Sequence, residues 1–238
     1  MIKKALLVLV CFQLAACDPA ALQRAMDALG SAGLSSTEVS SGLKEALEIG
    51  IGKGSDVLSK KDGFYKNAAY KILLPPEAQK VADKLRNVPG FNNVEERILE
   101  KINRGAEDAA KKAKPIFVDA IRQMTFSDAM NILMGEQNAA TTYLNRTTSD
   151  NLYTAFNPVI VQSLDKFDAR KYWSDAVNAY NKIPFVEKAN PDLDDYVTKQ
   201  ALNGLFGMVE NEELNIRTNI SARTSDLLKK VFAKQDKK

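Results

Sequence analysis

Apolar residues recur along most of this chain at intervals of three and four, the spacing that aligns side chains on one face of an α-helix. The first such stripe holds Val39, Leu43 and Leu47 and predicts a helix that continues into the fifties. Ser35 and Glu38 stand where a capping box would open that helix, because the two side chains can satisfy exposed amides reciprocally. No segment alternates apolar and polar residues over a sustained run, as a half-buried strand would. The pattern therefore predicts an all-α fold, a single compact multi-helix domain of roughly nine or ten helices.

Prolines and caps divide the rest of the pattern into separate helices. Pro76 is placed at the first turn of a helix that passes through Val81 and Leu85 and ends near Pro89-Gly90. An apolar face over residues 94–113 predicts the next helix, which Pro115 ends or kinks. Further apolar stripes follow at residues 116–124, 143–144, 152–164, 172–180, 196–209 and 227–232. After the first of these stripes, a cap at residues 125–128 predicts the start of another helix. We interpret the stretch from Ile183 to Pro191 as the longest loop.

The N-terminus has the layout of a cleaved bacterial export signal. Lys3 and Lys4 precede an apolar run that ends in the box Leu14-Ala15-Ala16-Cys17. That run is about ten residues long, too short for a permanent transmembrane helix, which needs roughly twenty. A cysteine at the cleavage point is typical of lipoproteins, in which the thiol of that cysteine receives a lipid. The alternative is an ordinary signal peptide that has a cysteine near its end by chance. We therefore expect a signal peptide at residues 1–16, lipid attachment at Cys17 with a spacer to residue 34, and a helical domain over residues 35–238.

Composition narrows the chemistry that such a domain can perform. The chain has no histidine, which excludes Ser-His-Asp, Cys-His and HExxH catalysis. Its two cysteines are Cys11, in the predicted leader, and Cys17, so no free thiol or disulfide is expected in the mature domain. Loss of the leader removes two lysines and lowers the net charge from +3 to +1, which gives no general attraction to nucleic acid. We expect no metal, no cofactor and no nucleic-acid partner.

Several phrases along the chain resemble a bacterial family of exported proteins known only as domain of unknown function 4197. The phrases include Leu34-Ser-Ser-Thr-Glu-Val39, Asn103-Arg-Gly-Ala-Glu107, Met124-Thr-Phe-Ser-Asp-Ala129, Ala201-Leu-Asn-Gly-Leu-Phe206, Glu212-Glu213 and Ile216-Arg217. The resemblance covers nearly the whole mature chain. It implies an exported, helical, single-domain protein and supplies no activity.

Polar residues within these phrases are the candidates for a ligand-binding site: Asn103, Arg104, Glu107, Asp128, Glu212, Glu213 and Arg217. Asn103 and Glu107 share one helix face, whereas Arg104 points about 100° away. Either arginine could clamp an anionic group beside one of the carboxylates. The structural alternative is that these groups are helix caps and interhelix ion pairs, a role for which Asp128 is well placed.

Three functions remain open at this stage. The absence of a recognised catalytic motif favours a non-enzymatic lipid-anchored protein that binds an envelope partner, or an apolar or anionic ligand. One alternative is an envelope enzyme that uses buried carboxylates and arginines on lipid or cell-wall fragments, and another is a structural or assembly factor. In each case the protein would be exported, held at a bacterial membrane, either inner or outer, and exposed to the periplasm.

Overall fold

Helices account for nearly all regular structure in the computed structural model, which describes residues 35–85, 94–166 and 168–233. These residues form nine α-helices and one 3₁₀ turn, and they contain no strand. In chain order the helices are α1 (Ser36–Leu58), α2 (Pro76–Leu85), α3 (Val94–Ala110), α4 (Ala113–Gln123), α5 (Phe126–Met134), α6 (Ala139–Asp165), α7 (Ala169–Asn181), α8 (Leu193–Thr218) and α9 (Asp226–Phe232), with the 3₁₀ turn at Ile220–Ala222. The prediction of an all-α fold is confirmed.

The two longest helices, α6 and α8, pack against each other at the centre of the molecule. Helix α6 also contacts α3, α4, α5 and α7, while α8 also contacts α1, α3 and α7. Helix α1 packs on α4, α5, α8 and α9. Buried side chains from all nine helices join one apolar core, which includes the fully buried Phe117, Phe156 and Leu205. Burial of this shared core is the main force that holds the helices together.

Local capping signals were predicted correctly. The Ser35 hydroxyl accepts the Glu38 amide at 3.2 Å, and the Glu38 carboxylate accepts the Ser35 amide at 2.8 Å. The same reciprocal pair joins Thr125 and Asp128 at the start of α5. Helix α2 begins at Pro76, as predicted.

Three expectations about element boundaries were wrong. Pro115 neither ends nor kinks a helix: α3 stops at Ala110, and Pro115 lies in the first turn of α4, where its missing amide costs nothing. The stripes at 143–144 and 152–164 belong to one helix, α6. The longest segment between described helices is residues 59–75, rather than Ile183 to Pro191.

Part of the N-terminal interpretation concerns residues outside the described ranges. The predicted signal peptide, Cys17 and the spacer precede residue 35. Across the described helices, none combines the length and apolar character that crossing a bilayer requires.

Candidate functional site

Asn103 lies fully buried on α3 and binds the backbone of the 59–75 segment. Its side-chain oxygen accepts the Ile72 amide at 2.8 Å, and its side-chain nitrogen donates to the Ile72 carbonyl oxygen at 2.8 Å. The same nitrogen donates to the carbonyl oxygen of Leu99, one turn earlier on α3. The Asn103 side chain thus pairs with the Ile72 backbone as a neighbouring strand would, and it satisfies backbone groups that water cannot reach.

One turn later on α3, Glu107 holds the other part of the same segment. Its Oε1 atom accepts the amides of Phe64 at 3.2 Å and Tyr65 at 3.0 Å. Its Oε2 atom accepts from Arg104 at 2.8 Å, and a second Arg104 nitrogen donates to Asp62 at 2.8 Å. We call Asp62, Asn103, Arg104 and Glu107 the α3 cluster.

The Arg104 guanidinium is enclosed by acidic groups. Besides Glu107 and Asp62, its Nε atom lies 3.6 Å from Glu100, and its face lies 4.8 Å from the centre of the Tyr65 ring. Burial lowers the pKa of Arg104, but the hydrogen bonds to Glu107 and Asp62 outweigh that effect and raise it overall. The hydrogen bond from Arg104 likewise holds the pKa of Asp62 below its usual value. Arg104 and Asp62 therefore stay ionised at neutral pH.

A second polar cluster lies on α8, where Glu213 and Arg217 form a buried ion pair at 2.8 Å. Glu213 accepts the amides of Ala140 at 2.9 Å and Thr141 at 2.8 Å, and also the Thr141 hydroxyl at 2.8 Å. These amides belong to the first turn of α6, where the end of a helix leaves N–H groups without partners. Arg217 donates to the carbonyl oxygen of Ile132 at 2.7 Å, near the end of α5. We call Glu213 and Arg217 the α8 cluster.

Arg223 is a buried charged residue that the sequence interpretation did not select. It is only 2% exposed, and it donates at 3.0 Å to the carbonyl oxygens of Ile216 and Arg217 at the end of α8. Its guanidinium also lies 5.7 Å from the centre of the Phe232 ring. The available signal was an arginine just after a long helix, where a cation favours the negative end of the helix dipole.

The remaining two candidates lie apart from both clusters. Asp128 is engaged by Thr125 in the cap of α5. Glu212 is half-buried and lies beside α1, where a methyl group on Gly50 would meet its Cβ at 3.6 Å. The sequence candidates therefore form no single pocket: three belong to the α3 cluster, two to the α8 cluster, and Asp128 and Glu212 lie elsewhere.

Two open grooves contain candidate residues. The larger, about 610 Å³, is lined by Lys61, Glu100, Lys101, Arg104, Asp108, Val159, Gln162, Ser163 and Lys166, and we call it the lysine groove. The smaller, about 340 Å³, is lined by Asp128 and by residues from the start of α6, including Tyr143 and Arg146. Residues 35–85, 94–166 and 168–233 contain no cluster of three or more side chains arranged to hold a metal ion.

Comparison with known proteins gives one match. The family model described as "Protein of unknown function (DUF4197)" matches residues 33–233, which is most of the chain. Neither the curated proteins nor the solved structures provide a match.

Proposed function

The chain belongs to the DUF4197 family of proteins of unknown function, and from that premise we propose a non-enzymatic, lipid-anchored envelope protein that binds an anionic ligand in the lysine groove. In this proposal Cys17 carries the lipid, and the helical domain faces the periplasm. The observation that carries the ligand proposal is the groove lining, in which four cationic side chains accompany two acidic ones.

In this proposal the lysines of the groove lining bind the ligand, whereas Arg104 pairs with acidic side chains of the protein. Each nitrogen of the Arg104 guanidinium already faces Glu107, Asp62 or Glu100, so this side chain has little freedom to clamp a ligand. Its single positive charge is shared between the carboxylates of Glu107 and Asp62 behind the groove. Lysine ammonium groups are compact cations on flexible stems, suited to phosphate or carboxylate groups of varied shape.

Hydrogen bonds of the buried carboxylates support a binding role over a catalytic one. Both oxygens of Glu213 accept bonds from α6 or Arg217, and both oxygens of Glu107 accept from the 59–75 segment or Arg104. A general base needs a lone pair within reach of a substrate proton. These oxygens are instead engaged in holding helix ends and a loop together.

Titration of the mature chain with inorganic pyrophosphate tests the ligand proposal. The protein begins at residue 17 and carries Cys17→Ala, so that lipid attachment cannot affect the result. We expect saturable binding by calorimetry, weaker at higher salt because exposed charges are screened over about 10 Å at 0.1 M. Replacing Lys61 and Lys166 by glutamine should weaken binding about tenfold, since each surface ion pair contributes up to about 1 kcal/mol.

The matched control replaces Lys53 and Lys112, two exposed lysines outside the groove lining, by glutamine and should leave binding unchanged. Equal binding by the groove variant and the wild-type chain would refute the ligand site. Hydrolysis of a lipid or cell-wall fragment that disappears in Glu107→Gln would instead support the envelope-enzyme alternative, provided that the variant remains folded.

A further inference from the structure

The loop between α7 and α8, residues 182–192, is fixed at its base on both sides. The Asn181 side chain donates to the Ala189 carbonyl oxygen at 3.0 Å and accepts the Ala189 amide at 2.9 Å. The Trp173 indole donates to the Asn190 carbonyl oxygen at 3.2 Å. These bonds close residues 182–188 into a short loop on a rigid base, and we call those seven residues the apex loop.

Phe185 stands in the middle of the apex loop in an unusual conformation. Its φ angle is +62°, in the left-handed region that bulky residues rarely adopt, and its side chain is fully exposed, at 108% of the reference value. By contrast, Phe64, Phe117 and Phe156 are each 0% exposed. Neither backbone preference nor the hydrophobic effect within the chain favours this placement. Strain of this kind persists where the surrounding structure enforces it, and it is found more often at functional sites.

The charged side chains near Phe185 indicate which kind of surface the apex loop can contact. Lys182 and Lys188 are exposed three residues before and after it, and the Lys188 ammonium donates to the Asn181 carbonyl oxygen at the base. The intervening acid, Glu187, forms an ion pair with Lys80 of α2 at 2.9 Å. The ring is therefore flanked by cations, while the nearest acid is already neutralised.

A second exposed apolar side chain, that of Leu73, lies in the segment that leads into α2 and is hydrogen-bonded to the start of α8. Leu73 is 65% exposed in the residues that lead into α2. The Tyr196 hydroxyl, in the first turn of α8, donates to the Leu73 carbonyl oxygen at 3.1 Å. The Lys80–Glu187 ion pair joins α2 itself to the apex loop.

We propose that the apex loop is a second membrane contact, in which Phe185 enters the headgroup region of an anionic bilayer between Lys182 and Lys188. An exposed ring gains by leaving water, and nearby lysines gain by approaching anionic headgroups. The proposal rests on lipid anchoring at Cys17, which would keep the domain beside a bilayer. The 17 residues from 18 to 34 span at most about 60 Å, and a domain of this size is about 40 Å across, so the tether lets this end reach the surface.

Vesicle flotation of the mature chain carrying Cys17→Ala tests the contact without the lipid. We expect binding to vesicles of phosphatidylethanolamine and phosphatidylglycerol, and much less binding to pure phosphatidylcholine. Phe185→Gly should lower the partition coefficient on the order of tenfold, and Lys182→Gln about fivefold. Met134→Ser, which removes another exposed apolar side chain at the end of α5, is the control and should bind as the wild-type chain does.

Thermal unfolding separates membrane binding from a structural role of Phe185. Glycine adopts positive φ without strain, so Phe185→Gly should not lower the melting temperature although it weakens vesicle binding. Unchanged vesicle binding by Phe185→Gly refutes the membrane contact, and a simultaneous change in sedimentation would identify a second copy of the chain as the occupant. Failure of the lipid anchor is a separate result, since it is measured by fatty-acid incorporation into the full chain in cells.

Discussion

At the scale of single residues, the α8 cluster joins two helix ends with opposite charges. The Glu213 carboxylate meets the amides at the start of α6, which is the positive end of that helix dipole. The Arg217 guanidinium meets the Ile132 carbonyl oxygen near the negative end of α5. Each charge compensates a helix terminus as well as its partner, which explains how the pair tolerates burial.

Removing either member alone should strongly destabilise the protein. We expect Arg217→Met or Glu213→Gln to lower the free energy of unfolding by about 3–5 kcal/mol, because the remaining polar group loses its charged partner inside the protein. The double variant should cost less than the sum of the two single variants. Urea denaturation measures all three, and Glu210→Gln, an exposed position one turn earlier on α8, is the control.

Additive effects in that cycle would show that Glu213 and Arg217 act independently, contrary to the contact at 2.8 Å. A loss below 1 kcal/mol in both single variants would show that the helix ends find other partners, such as water.

The same residues show what sequence could and could not establish. The Thr125–Asp128 cap was predictable because its partners are three residues apart. Glu213 was recognised as a candidate, but its partner Thr141 is 72 positions away. The sequence places Glu213 within a predicted helix, whereas its binding partner depends on how α6 and α8 pack.

At the scale of elements, α3 organises the longest segment between described helices. Residues 59–75 have no continuous helix, and the α3 cluster binds their backbone at Phe64, Tyr65 and Ile72. The Phe64 ring packs against α8 so closely that a methyl group on Gly204 would lie 2.8 Å from it. The segment is therefore held against the core through Phe64 and Ile72, although its sequence has no helical periodicity.

Loss of Asn103 should release this segment without unfolding α3. We expect Asn103→Ala to lower the free energy of unfolding by about 2–4 kcal/mol, because the Ile72 amide and carbonyl lose their buried partner. Hydrogen exchange should quicken at Ile72 more than in the middle of α3. Asn203→Ala, at an exposed site on α8, should change neither quantity appreciably. Unchanged exchange at Ile72 would contradict the anchoring role.

Helix α6 explains one wrong boundary prediction at this scale. Its buried face repeats every four residues from Leu144 to Leu164, but Thr148 interrupts the apolar pattern. The Thr148 hydroxyl donates to the Leu144 carbonyl oxygen at 2.6 Å, so a polar side chain is buried within the stripe at little cost. The pattern of apolar residues alone divides α6 into two stripes.

At the scale of the whole molecule, helical periodicity was sufficient to predict the fold class, because each helix buries one stripe against the shared core. The pairing of α3 with α6 and of α6 with α8 was not predictable, since many helix arrangements bury the same stripes. The grouping of the candidate residues was not predictable for the same reason: five of them form two separate clusters in the folded chain, and Asp128 and Glu212 lie elsewhere.

The proposed lipid anchor concerns the whole molecule, because both membrane proposals depend on it, and Cys17 and Cys11 provide a matched pair to test it. Cys17→Ala in the full chain should abolish incorporation of labelled fatty acid and release the protein from the membrane fraction at high salt. Buried acyl chains contribute about 0.8 kcal/mol per methylene, far more in total than one loop can supply. Cys11→Ala, within the predicted leader, should leave labelling and fractionation unchanged. Retention of both properties by Cys17→Ala would refute lipid anchoring, whereas release at high salt with residual binding at low salt would indicate that the apex loop contacts the bilayer independently of the lipid.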